Sequence, residues 1–284
     1  MLAIALSTFK EIYRKKIFHF IGILTILYLI LLSIIFRYIG KNINMNDSVI
    51  SMISGFSSII SILGFYFSSM LVAFLTVMLS IGIVSSEIES GTVLTILTKP
   101  IKRSSYIIGK YFGTAVLIIL YSAILFIAVI LLSTMTKISI IETFGIVALA
   151  KGFLFFILEP LTILALALYG STIFKTLNNG ILIIAIYILG TIGGVIEQVG
   201  TFTSNSSLST LGIISSLISP FEVVYRKMIS TIFTSLGAFS PLMGFGMTGG
   251  ASTTPSGWMI VYVFAYLIFF ILMSIMNFRK KDIG

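Results

Sequence analysis

Nine carboxylates, one histidine and no cysteine are all that the 284 residues offer for acid–base, nucleophilic or metal chemistry. Without cysteine there is neither a disulfide nor a thiolate metal site. With His19 alone, a histidine metal cluster or a conventional Ser-His-Asp triad is disfavoured, and no paired-acid cluster suggests an intramembrane enzyme. No G-x-x-x-x-G-K-[ST] occurs, so the chain has no phosphate-cradling loop of its own and reads as a non-enzyme. Polar chemistry concentrates in two places. One is Glu159, directly before Pro160 in the middle of an apolar run. A carboxylate at membrane depth costs at least a few kcal/mol and faces protein or water. It reads either as a substrate or cation contact on a transport path or as a protonated or hydrogen-bonded group beside the backbone freed by the proline. The other place is residues 87–110, EIESGTVLTILTKPIKRSSYIIGK, where two acids, a Gly-Thr pair, a proline and four bases stand together.

The elements that hold these residues are membrane elements. The chain is 58% hydrophobic and only 10% charged, against about a quarter charged in soluble domains. The net charge of +9 would suit nucleic acid, but the bases cluster beside apolar runs, so it reads as a positive-inside bias next to lipid, with no nucleic-acid partner. A span needs about 20 apolar residues. Six runs qualify: Ile17–Phe36, Phe65–Ser85, Tyr111–Leu132, Ile146–Ser171, Ile181–Glu197 and Trp258–Phe278. The first has a basic flank like a signal peptide, but it is as long as a full span and no small-residue cleavage site follows, so it is read as retained. The expected fold is an all-α, six-span membrane protein with a single transmembrane domain over residues 1–284.

Charge sets the expected orientation. One side carries Lys10, Arg14, Lys15, Lys16, Lys99, Lys102, Arg103, Lys110, Lys175, Arg279, Lys280 and Lys281; the other carries Arg37, Lys41, Lys137, Lys151, Arg226 and Lys227. The richer side, with both termini, is expected in the cytoplasm of a cell membrane.

Three segments fall outside simple spans. Residues 1–16 place Leu2, Leu6, Phe9 and Tyr13 on one stripe with Lys10, Arg14 and Lys15 off it, an amphipathic elbow helix along the inner face or an extension of the first span. Residues 48–64, joined to the second span, would make a helix of about 57 Å against a core of about 30 Å, so a break is expected near Gly64. Residues 199–256 are expected to form an outer helical cap or a pair of re-entrant helices. Within them Ser219 is a candidate N-cap, Pro220 the first helical residue and Glu222 the capping-box acid, with Arg226 four residues on as its partner. Glu197 is expected to be solvated. Gly109/Gly113 and Gly190/Gly194 are helix-packing pairs. Asn46 and Asn205 match glycosylation acceptors by pattern only.

Residues 86–105 leave the membrane, form a short helix with Val93, Leu94, Ile96 and Leu97 on its apolar face, stop at Pro100 and re-enter through a cap at Ser104 or Ser105. A plain basic loop is the alternative, but a plain loop needs no apolar helix. The pattern E-I-E-S-G-T-x(4)-L-x(2)-P-I-x-R followed by Y-I-I-G-K closely resembles the loop between the second and third spans of ABC-2 type ABC transporter permeases. The matching positions are Glu87, Glu89, Gly91, Thr92, Leu97, Pro100, Arg103, Gly109 and Lys110. ISPFEVVYR is similar to the Asn-Pro-x-(Asp/Glu)…Arg segment of the copper-site-maturation and multidrug branches, with Ser219 where Asn is common. The resemblance implies six spans, an elbow helix, and a coupling helix at Glu87, Glu89, Gly91, Thr92, Leu97, Pro100 and Arg103 that docks onto a separate ATPase subunit. It also implies ATP and Mg on that partner with no cofactor on this chain, a second permease copy or paralogue, and outward transport by alternating access. A secondary transporter or channel with Glu159 as its ion site is the rival reading; the halves show no matching Gly/Pro-broken spans.

Overall fold

The computed structural model describes residues 2–13, 16–41, 47–93, 102–134, 145–233 and 255–281. Ten helices are named here: α1 (Leu2–Tyr13), α2 (Lys16–Lys41), α3 (Asp47–Ser80), α4 (Ser85–Glu89), α5 (Arg103–Ser133), α6 (Ile146–Ile173), α7 (Thr176–Phe202), α8 (Ser206–Ile218), α9 (Phe221–Ile232) and α10 (Gly257–Lys280). Among the described residues no strand occurs. Six helical stretches are long and apolar enough to cross a membrane, one for each of the six expected runs. An apolar helix satisfies its own backbone in lipid, which is why such runs fold this way.

The centre of the bundle is α6, which packs against α3, α5, α7, α9 and α10. Four consecutive residues, Ala165, Leu166, Ala167 and Leu168, are buried, so no face of this helix turns outward there. By contrast α2 leaves Ile23, Leu27, Ile30 and Ile34 exposed, a face suited to acyl chains. The helices α4, the start of α5, the start of α7 and the last turn of α10 meet at one end, the basic end; α5 and α7 finish at the far end.

Two local expectations change, and a third is narrowed to one of its two options. The helix does not break at Gly64: α3 runs unbroken through it. Leu32 and Val129 lie 3.5 Å from where its Cβ would be, and its carbonyl accepts from the Tyr28 hydroxyl at 2.6 Å. The glycine serves close packing. Secondly, α1 docks with Thr8 and Ile12 buried, while Leu6 of the expected stripe is 56% exposed. The docking partner is Gly113 on α5, whose absent Cβ would sit 2.6 Å from the Ala5 carbonyl oxygen. Of the two forms expected for residues 199–256, the described residues 199–233 take the re-entrant one. The fifth span extends to Phe202; α8 then descends along α7 from Gly200 to Gly190, and the chain bends by 105° into α9. Ile232, at the end of α9, reaches Gly152 near the far-end start of α6. The α8–α9 pair therefore enters and leaves at the same end. Residues 234–254 lie outside the described ones.

The Gly113 contact is tight enough to test. Gly113→Val is expected to lift α1 from α5, costing about 1–3 kcal/mol through overpacking, with greater protease access at residues 2–13. Gly22 has nothing within 4 Å of a Cβ, so Gly22→Ala serves as the control that does not lower the thermal midpoint.

Candidate functional site

The basic end is knotted by side chains of the loop that joins α3 to α5. Glu87, on α4, accepts from the Tyr106 hydroxyl and the Lys110 ammonium, both on α5. Lys110 also lies 3.4 Å from Glu11 on α1. The Lys110 side chain is only 6% exposed, so one buried cation is shared by carboxylates from two other helices. Tyr106 stacks on Phe278 of α10 with ring centroids 5.2 Å apart.

Glu89 acts on a different helix. Its carboxylate accepts from the Thr176 backbone N–H at 2.7 Å and from the Thr176 hydroxyl at 3.2 Å. Lys175, the residue in the N-cap position of α7, provides no side-chain cap, so the orphan N–H and the positive end of that helix are met by an acid from α4. Ser85 adds a hydroxyl contact to Thr176 at 2.9 Å. Gly91 follows with φ +72° and nothing within 4 Å of a Cβ. The left-handed backbone, not crowding, requires glycine there. Thr92 folds back, its hydroxyl donating to the Glu87 carbonyl at 3.2 Å.

Arg103 closes the knot from the start of α5. Its Nη1 donates to the carbonyls of Arg279 at 3.1 Å and Lys281 at 2.8 Å, at the end of α10. That is a cation placed on orphan carbonyls at the negative end of a helix. Lys281 in turn donates to the Thr172 carbonyl of α6 at 2.9 Å. Thus Glu87, Glu89 and Arg103, expected to face a partner, direct polar atoms to the bundle itself: Glu87 to α5, Glu89 to the start of α7 and Arg103 to the end of α10. Glu89, Ser90, Thr92 and Lys102 remain exposed at its surface. Leu97 and Pro100 lie outside the described residues. Sequence reasoning missed Tyr106, Thr176 and Asn179. Asn179 donates to the carbonyls of Ile81 at 2.7 Å and Ala167 at 3.1 Å, fitting against Gly170. An amide beside a glycine in an apolar run was the available signal.

The second polar locus lies deeper, where α9 meets α6 and α7. Glu159 is 4% exposed, and the Ser69 hydroxyl of α3 donates to it at 2.6 Å. Arg226, 1% exposed, forms an ion pair with Glu197 at 2.7 Å, its Nη2 donating across from α9 to α7. Glu197 is therefore buried and paired, not solvated, and Arg226 is no loop base. Lys110 is no loop base either, so one base leaves each side of the orientation count and the asymmetry stands. The expected cap at Ser219 does not form: Pro220 takes the N-cap position without a side-chain bond, and the Ser219 hydroxyl presses on Gly190. Asn205 caps α8, its side chain accepting from the N–H groups of Ser207 and Leu208.

A family model described as ABC-2 family transporter protein matches residues 2–283. The chain belongs to that family. No curated protein matches the chain. Membership makes this multi-pass ABC-2 protein a permease subunit of an ABC transporter, a transport component and not itself an ATPase. The family match spans the helices of both polar loci and the loop between α3 and α5.

Removing the shared cation should expose the cost of leaving the partly buried Glu87 without its counter-charge. Lys110→Met is expected to destabilise this ABC-2 chain by about 3 kcal/mol. Lys110→Met with Glu87→Gln should lose less than the sum of the singles, by at least about 0.5 kcal/mol. Reversible denaturation in detergent reads both; strict additivity would remove the pairing from the energetics.

Proposed function

We propose that this chain is the membrane-spanning subunit of an ATP-driven exporter in the cytoplasmic membrane, with both termini on the cytoplasmic side. A separate nucleotide-binding subunit holds ATP and Mg, and a second permease copy or a paralogue completes the transporter. Residues 86–105 form the coupling element. The observation that carries this reading is the knot at the basic end. The short helix α4 is joined by side-chain bonds to α5 and α7, Lys110 of α5 carries the link on to Glu11 of α1, and the loop's last arginine joins α5 to α10. A push on the exposed residues of that loop, Ser90, Thr92 and Lys102, cannot be absorbed locally. It passes through Glu89 to the start of α7 and through Glu87 to α5. Family membership supports the ATPase partnership, the resemblance of residues 87–110 supports outward transport, and the excess of bases at this end supports its cytoplasmic placement.

Purification from native membranes in mild detergent tests the partnership. A stoichiometric P-loop ATPase is expected alongside the chain. A chain that emerges alone, with no ATP-dependent activity, overturns the reading and turns attention to Glu159 as an ion site. Gly91→Ala combined with Arg103→Glu is expected to weaken retention of the ATPase subunit at least about tenfold, or about 1.4 kcal/mol. Helix content by circular dichroism should be retained. Unchanged co-purification would count against a coupling role for this loop.

A further inference from the structure

Three buried carboxylates converge on the seam where α9 packs against α6 and α7: Glu159 (4% exposed), Glu197 (8%) and Glu222 (8%). Among the described residues Arg226 is the base placed with them. Lys227 turns away to the Pro255 carbonyl at 2.8 Å. Lys151 is exposed, eight residues and about 12 Å back along α6. The other titratable groups facing the seam are Tyr66 from α3, Tyr187 from α7 and Tyr225 from α9, which lie within electrostatic reach of Glu159 and Glu222. These are neutral phenols and supply no positive charge. Three acids against one arginine would leave a formal charge of −2 if every carboxylate were ionised. A buried, uncompensated charge of that size is not tolerated among apolar helices.

The ion pair of Arg226 with Glu197 accounts for one acid. Glu159 has a hydroxyl, Ser69, and no cation beside it among the described residues; Glu222 shares the one arginine with Glu197. A second feature of the seam points the same way. The Ser219 hydroxyl is fully buried with no hydrogen-bond partner among the described residues. It lies against Gly190, one helical turn from Gly194, where Glu222 lies, so hydroxyl and carboxyl face the same strip of α7. No group of three acids or histidines among the described residues is close enough to hold a metal ion. The remaining neutraliser that fits a closed, packed seam is the smallest cation.

We infer that Glu159 and Glu222 form a proton-binding site, each carrying one proton while α9 is seated on α6 and α7. When the seam opens to water, each O–H bond breaks, the proton passes to water and the carboxylate is left ionised. A movement that unseats α9 therefore discharges two protons. This goes beyond the permease reading and stands whether or not an ATPase partner is found.

The sign follows from linkage. The folded chain holds two protons that the unfolded chain has lost at neutral pH, so stability is full in acid and falls as pH rises. Reversible unfolding of the full chain in detergent, between about pH 5 and 6.5, should show the unfolding constant rising by up to about a hundredfold per pH unit from these two groups, with the slope flattening at higher pH as the folded seam itself gives up its protons. Glu159→Gln or Glu222→Gln should each remove about a factor of ten from that slope, and the double variant about a hundred. Because Gln resembles the protonated acid, both variants are expected to be at least as stable as the wild type at pH 8. Slopes unchanged by the substitutions overturn the site. So does a wild type stabilised at pH 8 by sodium or potassium ions, which would make it a metal-cation site. A check without any substitution is the infrared band of a protonated carboxyl in the wild-type chain at neutral pH, shifted by isotope-labelled glutamate. Its absence overturns the inference even if a variant fails to fold.

Discussion

A carboxylate removed from water must find a cation, a donor or a proton, and that requirement decides where the helices of this chain meet. The apolar faces alone do not. Lipid tails are as apolar as leucine, so burying Leu or Ile between helices gains little over leaving it in the bilayer. The polar contacts are discriminating because they have few alternatives. Glu87 can be satisfied only where Tyr106 and Lys110 stand, Glu89 where the first N–H groups of α7 stand, and Glu197 where Arg226 stands.

Glycine makes those meetings possible. The α7 face that receives α8 and α9 carries Gly190, Gly193, Gly194 and Gly200, and α8 offers Gly212 to Glu197 in return. A Cβ at Gly194 would lie 2.4 Å from the Glu222 side chain, and one at Gly212 would lie 2.6 Å from the Glu197 backbone. The acids and their arginine reach one another because the backbones between them come close. Tyr262 and Tyr266 of α10 then donate to the last carbonyls of α8, Leu217 and Ile218, which fixes the corner where the re-entrant pair turns. Residues 199–233, rich in Ser and Thr, are thereby a packed part of the bundle.

Much of this was legible in the sequence, for physical reasons that differ by element. The six spans were, because a run of about 20 apolar residues has few other fates. The re-entrant pair was legible as one of two options, through Pro220 and the apolar stripe of α9. The break at Gly64 was misread because length was weighed without the packing of Leu32 and Val129 that a glycine admits. The direction of the charged side chains was not legible at all. Glu87, Glu89 and Arg103 stand in a loop motif, and sequence spacing places them at one end of the bundle. Only the three-dimensional positions of Lys110, Thr176 and the end of α10 show that they brace the loop. The same holds for Arg226: helical spacing offers Glu222 as its partner, whereas the neighbouring helix presents Glu197 at 2.7 Å.

The two polar loci are joined by one rigid body. Glu89 holds the first residue of α7, and Glu197 lies on the same helix 21 residues further on, about 32 Å along its axis. Between them α7 contains no proline and stays helical from Thr176 to Phe202. A helix without a break does not absorb a displacement at one end by bending sharply. A displacement delivered at α4 would reach the partner of Arg226 as movement of α7 against α9, and the seam it would shear is the one lined by Glu159, Glu197 and Glu222. Ion pairing at one end and charge burial at the other are in that sense a single mechanical problem, set by one helix that must satisfy acids at both ends.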